Sequence, residues 1–94
     1  MKYSIMQVKD SRKLYLSYAN TMKHGGLDLS EYETVYTGEI NDGDPLEVCE
    51  KLYTIFNTQP PEDYRSRSLS VSDIISLEHT GMYFCDSIGF KKIN

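Results

Sequence analysis

The sequence predicts an α+β domain: a small, mostly antiparallel sheet with two helices packed on one of its faces, in the order β-α-β-α-β-β. Three observations carry this. Residues 65–90 (RSRSLSVSDIISLEHTGMYFCDSIGF) hold two short apolar runs, Ile74, Ile75 and Leu77 before a break at His79-Thr80-Gly81 and Met82, Tyr83 and Phe84 after it, the pattern of a hairpin. The run after Asp44 opens with the clearest helix-start signal in the chain. Residues 3–8 (YSIMQV) and 32–40 (YETVYTGEI) are rich in strand-forming residues. A chain of 94 residues suffices for one modest core without disulfides or metal, so residues 1–94 are expected to form a single domain.

The elements follow in order. Residues 3–8 make the first strand. Asp10 can cap a helix over residues 11–23, in which Leu14, Tyr18 and Met22 recur at i, i+4 and i+8 beside Tyr15 and Ala19. Lys23, His24, Gly25 and Gly26 supply a basic last turn and a glycine stop. In residues 32–40, Tyr32, Thr34, Tyr36 and Ile40 alternate with Glu33, Val35, Thr37 and Glu39, which predicts a strand half exposed to water and ended by Asn41-Asp42-Gly43. The second helix, near 45–57, has Asp44 as its cap, Pro45 at the first position and Glu47 at the third. Its predicted buried stripe is Leu46, Cys49, Leu52, Tyr53 and Phe56. The paired prolines at 60 and 61 require a non-helical connection.

That connection leads into a strictly alternating stretch, with Ser66, Ser68, Ser70 and Ser72 on one side and Arg65, Arg67, Leu69, Val71 and Asp73 on the other. The hairpin strands are expected over residues 72–77 and 82–86. Residues 90–93 (FKKI) add a short edge strand, where Lys91 and Lys92 discourage edge-to-edge pairing.

Composition excludes some functions. Ten Lys and Arg against fourteen Asp and Glu give a net charge of -4, which argues against direct nucleic-acid binding. Eight tyrosines and no tryptophan suit a small core and a protein interface equally. Cys49 and Cys85 are far apart in sequence and, with no leader-like or long apolar run, the chain is expected to be cytoplasmic with both thiols reduced.

Charge is unevenly spread. Residues 28–50 carry eight acids (Asp28, Glu31, Glu33, Glu39, Asp42, Asp44, Glu47 and Glu50) and neither Lys nor Arg. The first 24 residues carry Lys2, Lys9, Arg12, Lys13 and Lys23 against Asp10 alone. Such an acidic stretch is either an ordinary solvated face or a surface, including Glu31, Glu33, Glu39, Asp42 and Glu47, that docks on the basic groove of another protein.

Catalytic machinery is not legible. His24 and His79 fall at predicted turns without carboxylate or cysteine neighbours at metal-ligand spacing, so no metal or cofactor is expected. The four alternating serines lie outside any nucleophile-elbow pattern and have no placed histidine base. Their short hydroxyls, and the Asp73 carboxylate, suit the satisfaction of nearby backbone groups instead. Arg65 and Arg67, two apart on an extended segment, either clamp an anionic group together or balance Glu62 and Asp63 at the surface.

The runs SLSVSDII and MYFCDSIGF, with YETVYTGEI, PLEVCEKLYTIFN and PPEDYRSRSLSVSD in order upstream, resemble the YodL-like family over nearly the whole chain. The chain departs from that pattern at Ile88, where an aromatic is more usual, and at Ser66-Arg67, where a Gly-His pair is frequent. The resemblance implies an accessory protein of bacterial plasmids or integrative conjugative elements, of a kind found beside anti-restriction modules. It brings no active site, and it marks Ser68, Leu69, Ser70, Val71, Ser72, Asp73, Asp86, Ser87, Gly89 and Phe90 as positions that define the fold first and contact a partner second.

Three functions stay open at this point. One is a protein that binds and occludes a host defence nuclease, in the manner of an anti-CRISPR or anti-restriction protein. Another is a general interaction module tuning a host process such as cell shape or conjugation. The third is an enzyme working through the Arg/Ser/Asp block, which lacks a catalytic partner. The expectation is a non-enzymatic protein with a protein partner and no membrane attachment.

Overall fold

The computed structural model describes residues 1–94, the side chain of Ser11 excepted. Its strands are β1 (Lys2–Val8), β2 (Tyr32–Glu39), β3 (Ile74–Leu77), β4 (Gly81–Cys85) and β5 (Phe90–Lys92), and its helices are α1 (Tyr18–Lys23) and α2 (Pro45–Thr58). All five strands join one antiparallel sheet in the spatial order β2-β1-β3-β4-β5. The expected hairpin is β3–β4, with Ile75 opposite Tyr83, and the expected final edge strand is β5.

Helix α2 begins where its cap dictates. The Asp44 carboxylate accepts the Glu47 N–H at 3.2 Å, and Pro45 occupies a position whose N–H would have no helical partner. The helix buries Val48, Cys49, Leu52 and Phe56. This stripe is rotated from the predicted one: Leu46 and Tyr53 stay 48% and 37% exposed, and Val48 takes their place. The row 48-52-56, spaced at i+4, is the one laid on the sheet.

Beneath α2 lie Tyr3, Ile5, Ile75, Leu77 and Tyr83 from the sheet, joined by Tyr64 and Leu69 from the connection after the helix. Phe56 is the hub of an aromatic group, meeting Tyr3, Tyr36 and Tyr64 edge-on at centroid separations of 6.1, 5.6 and 4.8 Å. Several of the abundant tyrosines are therefore core residues.

The other face of the sheet is covered too. Ile74 and Phe84 alternate with Ile75 and Tyr83, so they point away from α2, and both are fully buried. Tyr18 of α1 meets Phe84 edge-on at 5.5 Å. The two helices thus sit on opposite faces, not on one face as the sequence suggested.

Helix α1 is also shorter than the predicted 11–23. Residues Ser11–Lys13 form a 3₁₀ turn capped by Asp10, whose carboxylate accepts the Arg12 N–H at 3.0 Å. Tyr15 then takes a positive φ of 66°, which no helix tolerates, and the chain restarts at a new cap, Ser17, which accepts the Asn20 N–H at 3.2 Å. The Leu14-Tyr18-Met22 periodicity spans this break and is not a helix face; Met22 and Tyr15 are exposed. The predicted stop holds, with Gly25 and Gly26 both at positive φ.

Strand β2 corrects a second expectation. Ile5 stands opposite Tyr36 but Met6 stands opposite Thr34, so Val35 is an extra residue in a β-bulge. The bulge reverses the side-chain alternation. Tyr32 shares the face of its partner Val8, while Val35 and Tyr36 pack on the α2 side. Tyr32 and Tyr36 therefore serve opposite faces, although even spacing placed them together.

Candidate partner-binding surface

The alternating stretch expected to lead extended into the hairpin belongs to no strand: residues 65–70 are irregular with a bend at Ser66, and Val71-Ser72 form a turn. The chain there folds around one carboxylate. Asp73 is 0% exposed, and its Oδ2 accepts from the Ser70 N–H at 2.8 Å, Arg67 Nη1 at 3.0 Å and Gln7 Nε2 at 3.1 Å. Its Oδ1 accepts from Arg67 Nη2 at 2.6 Å. Burial raises the Asp73 carboxyl above the ordinary aspartate value, and Arg67, the Ser70 N–H and Gln7 oppose that rise. The expected role of Asp73 as an acceptor for nearby amides is what the geometry gives.

Around it the same knot closes. Gln7 Nε2 also donates to Tyr64 Oη at 3.3 Å and to the Arg67 carbonyl at 3.2 Å, the Tyr64 hydroxyl donates to that carbonyl, and the Ser66 hydroxyl donates to Gln7 Oε1. Gln7 and Tyr64 escaped the sequence reading. One signal was present: Gln7 continues the inward row of Tyr3 and Ile5, where a polar side chain needs buried partners.

Ser72 and Asp73 together face Cys85, through Ser72 N–H to Cys85 O at 2.9 Å and Cys85 N–H to Asp73 O at 2.8 Å. This is a second bulge, and Ser72 takes the left-handed conformation (φ 84°) that glycine usually fills. Its hydroxyl is buried without a hydrogen-bond partner among the described residues, while its carbonyl accepts from Tyr32 Oη at 2.6 Å. β3 accordingly starts at Ile74, two residues later than predicted. Ser68 is exposed and Ser70 half-buried.

At the far end of β4, Asp86 Oδ1 accepts the N–H of Tyr18 at 3.0 Å and of Ser87 at 2.8 Å, tying the first turn of α1 to the sheet. Gly89, at φ 69°, closes the β4–β5 turn with Asp86 N–H donating to its carbonyl at 2.9 Å. Phe90 follows and meets Tyr53 of α2 edge-on at 6.3 Å. Ser87 is exposed, and Ile88 at the tip is 93% exposed.

The acidic segment divides into two sets. Asp28 and Asp44 cap local turns, Glu31 pairs with Lys13 Nζ at 2.6 Å, and Asp42 accepts from the Met1 amino group at 2.9 Å. Glu33, Glu39, Glu47 and Glu50 are exposed and have no ion-pair partner among the described residues. Glu33 and Glu39 stand on β2, an outer strand of the sheet, opposite Gln7 and Lys2.

Arg65 and Arg67 do not form a clamp. Arg67 is committed to Asp73 and is 27% exposed, whereas Arg65 is exposed and folds back onto the Glu62 and Tyr64 carbonyls. His24 is the exposed C-cap of α1, and His79 lies 3.9 Å from Glu78 in the β3–β4 turn. Among the described residues no group of three or more His, Cys, Asp or Glu is placed to hold a metal ion. Cys49 and Cys85 are free and buried, and burial pushes each thiol up to about 12. Among the described residues no helix is long and apolar enough to cross a membrane.

Five antiparallel strands, a helix on each face and a buried Asp73 knot under the SLSVSD segment define a small α+β domain. The chain belongs to the YodL-like domain family, whose family model matches residues 2–94. No curated protein and no solved structure gives a significant match.

Proposed function

We propose that this protein acts by binding another protein, without catalysis, and that it serves a mobile genetic element by occluding a host defence nuclease of the CRISPR or restriction type. The observation that supports this is the placement of Glu33, Glu39 and Glu47, exposed and unpaired on the β2 edge and the first turn of α2. Exposed carboxylates attract a basic groove, and that attraction weakens with salt. The nucleic-acid channel of a nuclease is such a groove.

Affinity purification with mass spectrometry identifies the partner. Reversing Glu33, Glu39 and Glu47 to lysine then abolishes association and plasmid protection while the fold persists. Asp42 is left intact because it holds Met1. Arg65→Glu is the control; Arg67 is unsuitable, since it neutralises Asp73. A folded, fully protective acid-reversed protein overturns the reading.

A second reading has its own support. Four of the segment's eight acids are engaged locally, so the negative field is smaller than the sequence count, and Leu46, Tyr53 and Ile88 are exposed apolar residues of the kind found in general interfaces. On that reading the protein is an interaction module tuning a host process such as cell shape or conjugation. The identity of the captured partner separates the two.

A further inference from the structure

Strand β2 is one margin of the sheet, and unlike β5 at the other it carries no Lys, Arg or Pro to discourage pairing. Which of its backbone groups face outward follows from its ladder with β1. The Met1 amino group donates to the Ile40 carbonyl at 2.6 Å and the Ile40 N–H to the Met1 carbonyl at 2.9 Å, while at the other end the Lys9 N–H donates to the Glu31 carbonyl at 2.9 Å. Antiparallel partners alternate between bonded and non-bonded pairs. Counted inward from both ends, Glu33, Tyr36 and Gly38 turn their N–H and C=O groups toward β1, and Tyr32, Thr34, Thr37 and Glu39 turn theirs outward. The steps between these outward residues are two, three and two, because the Val35 bulge adds a residue in the middle. Tyr32 keeps only its carbonyl free, since its N–H donates to Leu29. A regular strand, whose groups recur every second residue, falls out of step with this edge at the bulge. A second β2 run antiparallel does not, because the steps read the same in both directions.

We propose that β2 pairs with β2 of a second copy of this chain, about a twofold axis between Val35 and Tyr36. Thr34 then lies opposite the partner's Thr37 and exchanges two hydrogen bonds with it, and the Glu39 N–H reaches the partner's Tyr32 carbonyl. The faces agree as well as the bonds. Tyr32, Thr34, Thr37 and Glu39 stand opposite Val8, Met6, Ser4 and Lys2, all on the α1 side, so each bonded pair across the axis keeps both side chains on one face. Val35 meets the partner's Tyr36 and Glu33 the partner's Gly38 on the α2 side. No acid stands directly opposite an acid, and Thr opposite Thr is a favourable cross-strand pair. A register moved by two residues sets the two bulges out of step. This goes beyond the nuclease reading and does not depend on it. Each copy carries a net charge of -4, so the pairing strengthens as salt screens that repulsion, the reverse of docking on a basic groove.

The test is sedimentation of the full chain at concentrations up to about 1 mM, with amide exchange followed on ¹⁵N-labelled protein. A dimer fraction that rises with concentration and with salt is expected, and with it protection of the Thr34, Thr37 and Glu39 amides. Thr34→Lys combined with Thr37→Lys sets like charges opposite each other in both threonine pairs and weakens the dimer about 10-fold or more. Thr34→Lys combined with Thr37→Glu sets opposite charges there and restores it. Both threonines are exposed, so the monomer keeps its core in either variant. Should the double-lysine variant fail to fold, dimerisation of the lysine–glutamate variant and the amide protection decide. A protein still monomeric at about 1 mM, equal dimerisation of the two variants, or protection confined to β5 overturns the proposal. A monomer whose plasmid protection still depends on Glu33, Glu39 and Glu47 sinks the dimer alone. A dimer whose partner capture is indifferent to those acids sinks the acidic-edge reading instead.

Discussion

Arg67 and Asp73 face each other fork to fork, with Nη1 to Oδ2 at 3.0 Å and Nη2 to Oδ1 at 2.6 Å, although the arginine is partly exposed and the aspartate fully buried. Removing Arg67 leaves an uncompensated buried charge, which costs about 3–5 kcal/mol. Arg67→Ala is therefore expected to lower the denaturation midpoint strongly, and Asp73→Ala to do so by orphaning the Ser70 N–H and leaving the partly buried Arg67 fork without its carboxylate. Asp44→Ala, which removes only the α2 cap, costs about 1 kcal/mol. Chemical denaturation ranks the three, and an Asp73→Ala midpoint no lower than that of Asp44→Ala refutes the ranking.

Burial raises Asp73 above its ordinary value of 3.8, so the folded state holds this proton more tightly than the unfolded chain. Its contribution to stability is then complete below the ordinary aspartate range and is lost as pH rises through the raised native value. Asp10 and Asp28, held low by Arg12 and by Ser30, act in the opposite sense: their contribution is present above the ordinary value and lost on acidification. The stability of the wild type minus that of Asp73→Asn isolates the first effect. That difference is expected to fall with rising pH across the acidic range; a rise would mean that Arg67 outweighs burial.

Ser72→Gly is expected to be neutral or stabilising. A non-glycine residue at φ 84° carries a cost of about 1 kcal/mol, and the buried Ser72 hydroxyl has no partner to lose among the described residues. Opposing this, glycine gains entropy in the unfolded chain. A thermal midpoint several degrees below the wild type would show that the hydroxyl holds something essential.

Cys49 and Cys85 are raised from 9.0 to about 12, chiefly by burial, which leaves roughly a thousandfold fewer thiolates than in an exposed cysteine at the same pH. Alkylation of the native protein at pH 8 is expected to be slow at both, and to reach the rate of a free thiol only in denaturant. Rapid native labelling of Cys85 would show that the hairpin opens.

The capped and turned parts of this fold were legible because their signals are local. Asp44-Pro45, the two glycines after His24, and His79-Thr80-Gly81 each act within a few residues, and each marks a boundary the structure respects. The failures have a shared cause. Tyr15 and Ser72 occupy positive-φ positions without being glycine, so nothing in the sequence announced the break in the first helix or the bulge before β3. The Val35 bulge is equally silent, and one extra residue there reverses every later side chain of β2. At the candidate surface, sequence counting could find the acids but not which were already paired.

The position of β1 has a consequence for how the chain comes together during synthesis. Ile5 is flanked on one side by Tyr36 and on the other by Ile75, so β1 needs a neighbour made about seventy residues after it. Until residues 74–77 emerge, the nascent chain can hold a β1–β2 ribbon and the beginnings of α2, with one whole margin of β1 unsatisfied. Closing that margin spans some seventy residues, a slow step set by loop entropy. A ribosome stalled before Ile74 thus presents an open template for aggregation, and cooperative folding of the domain waits on β3.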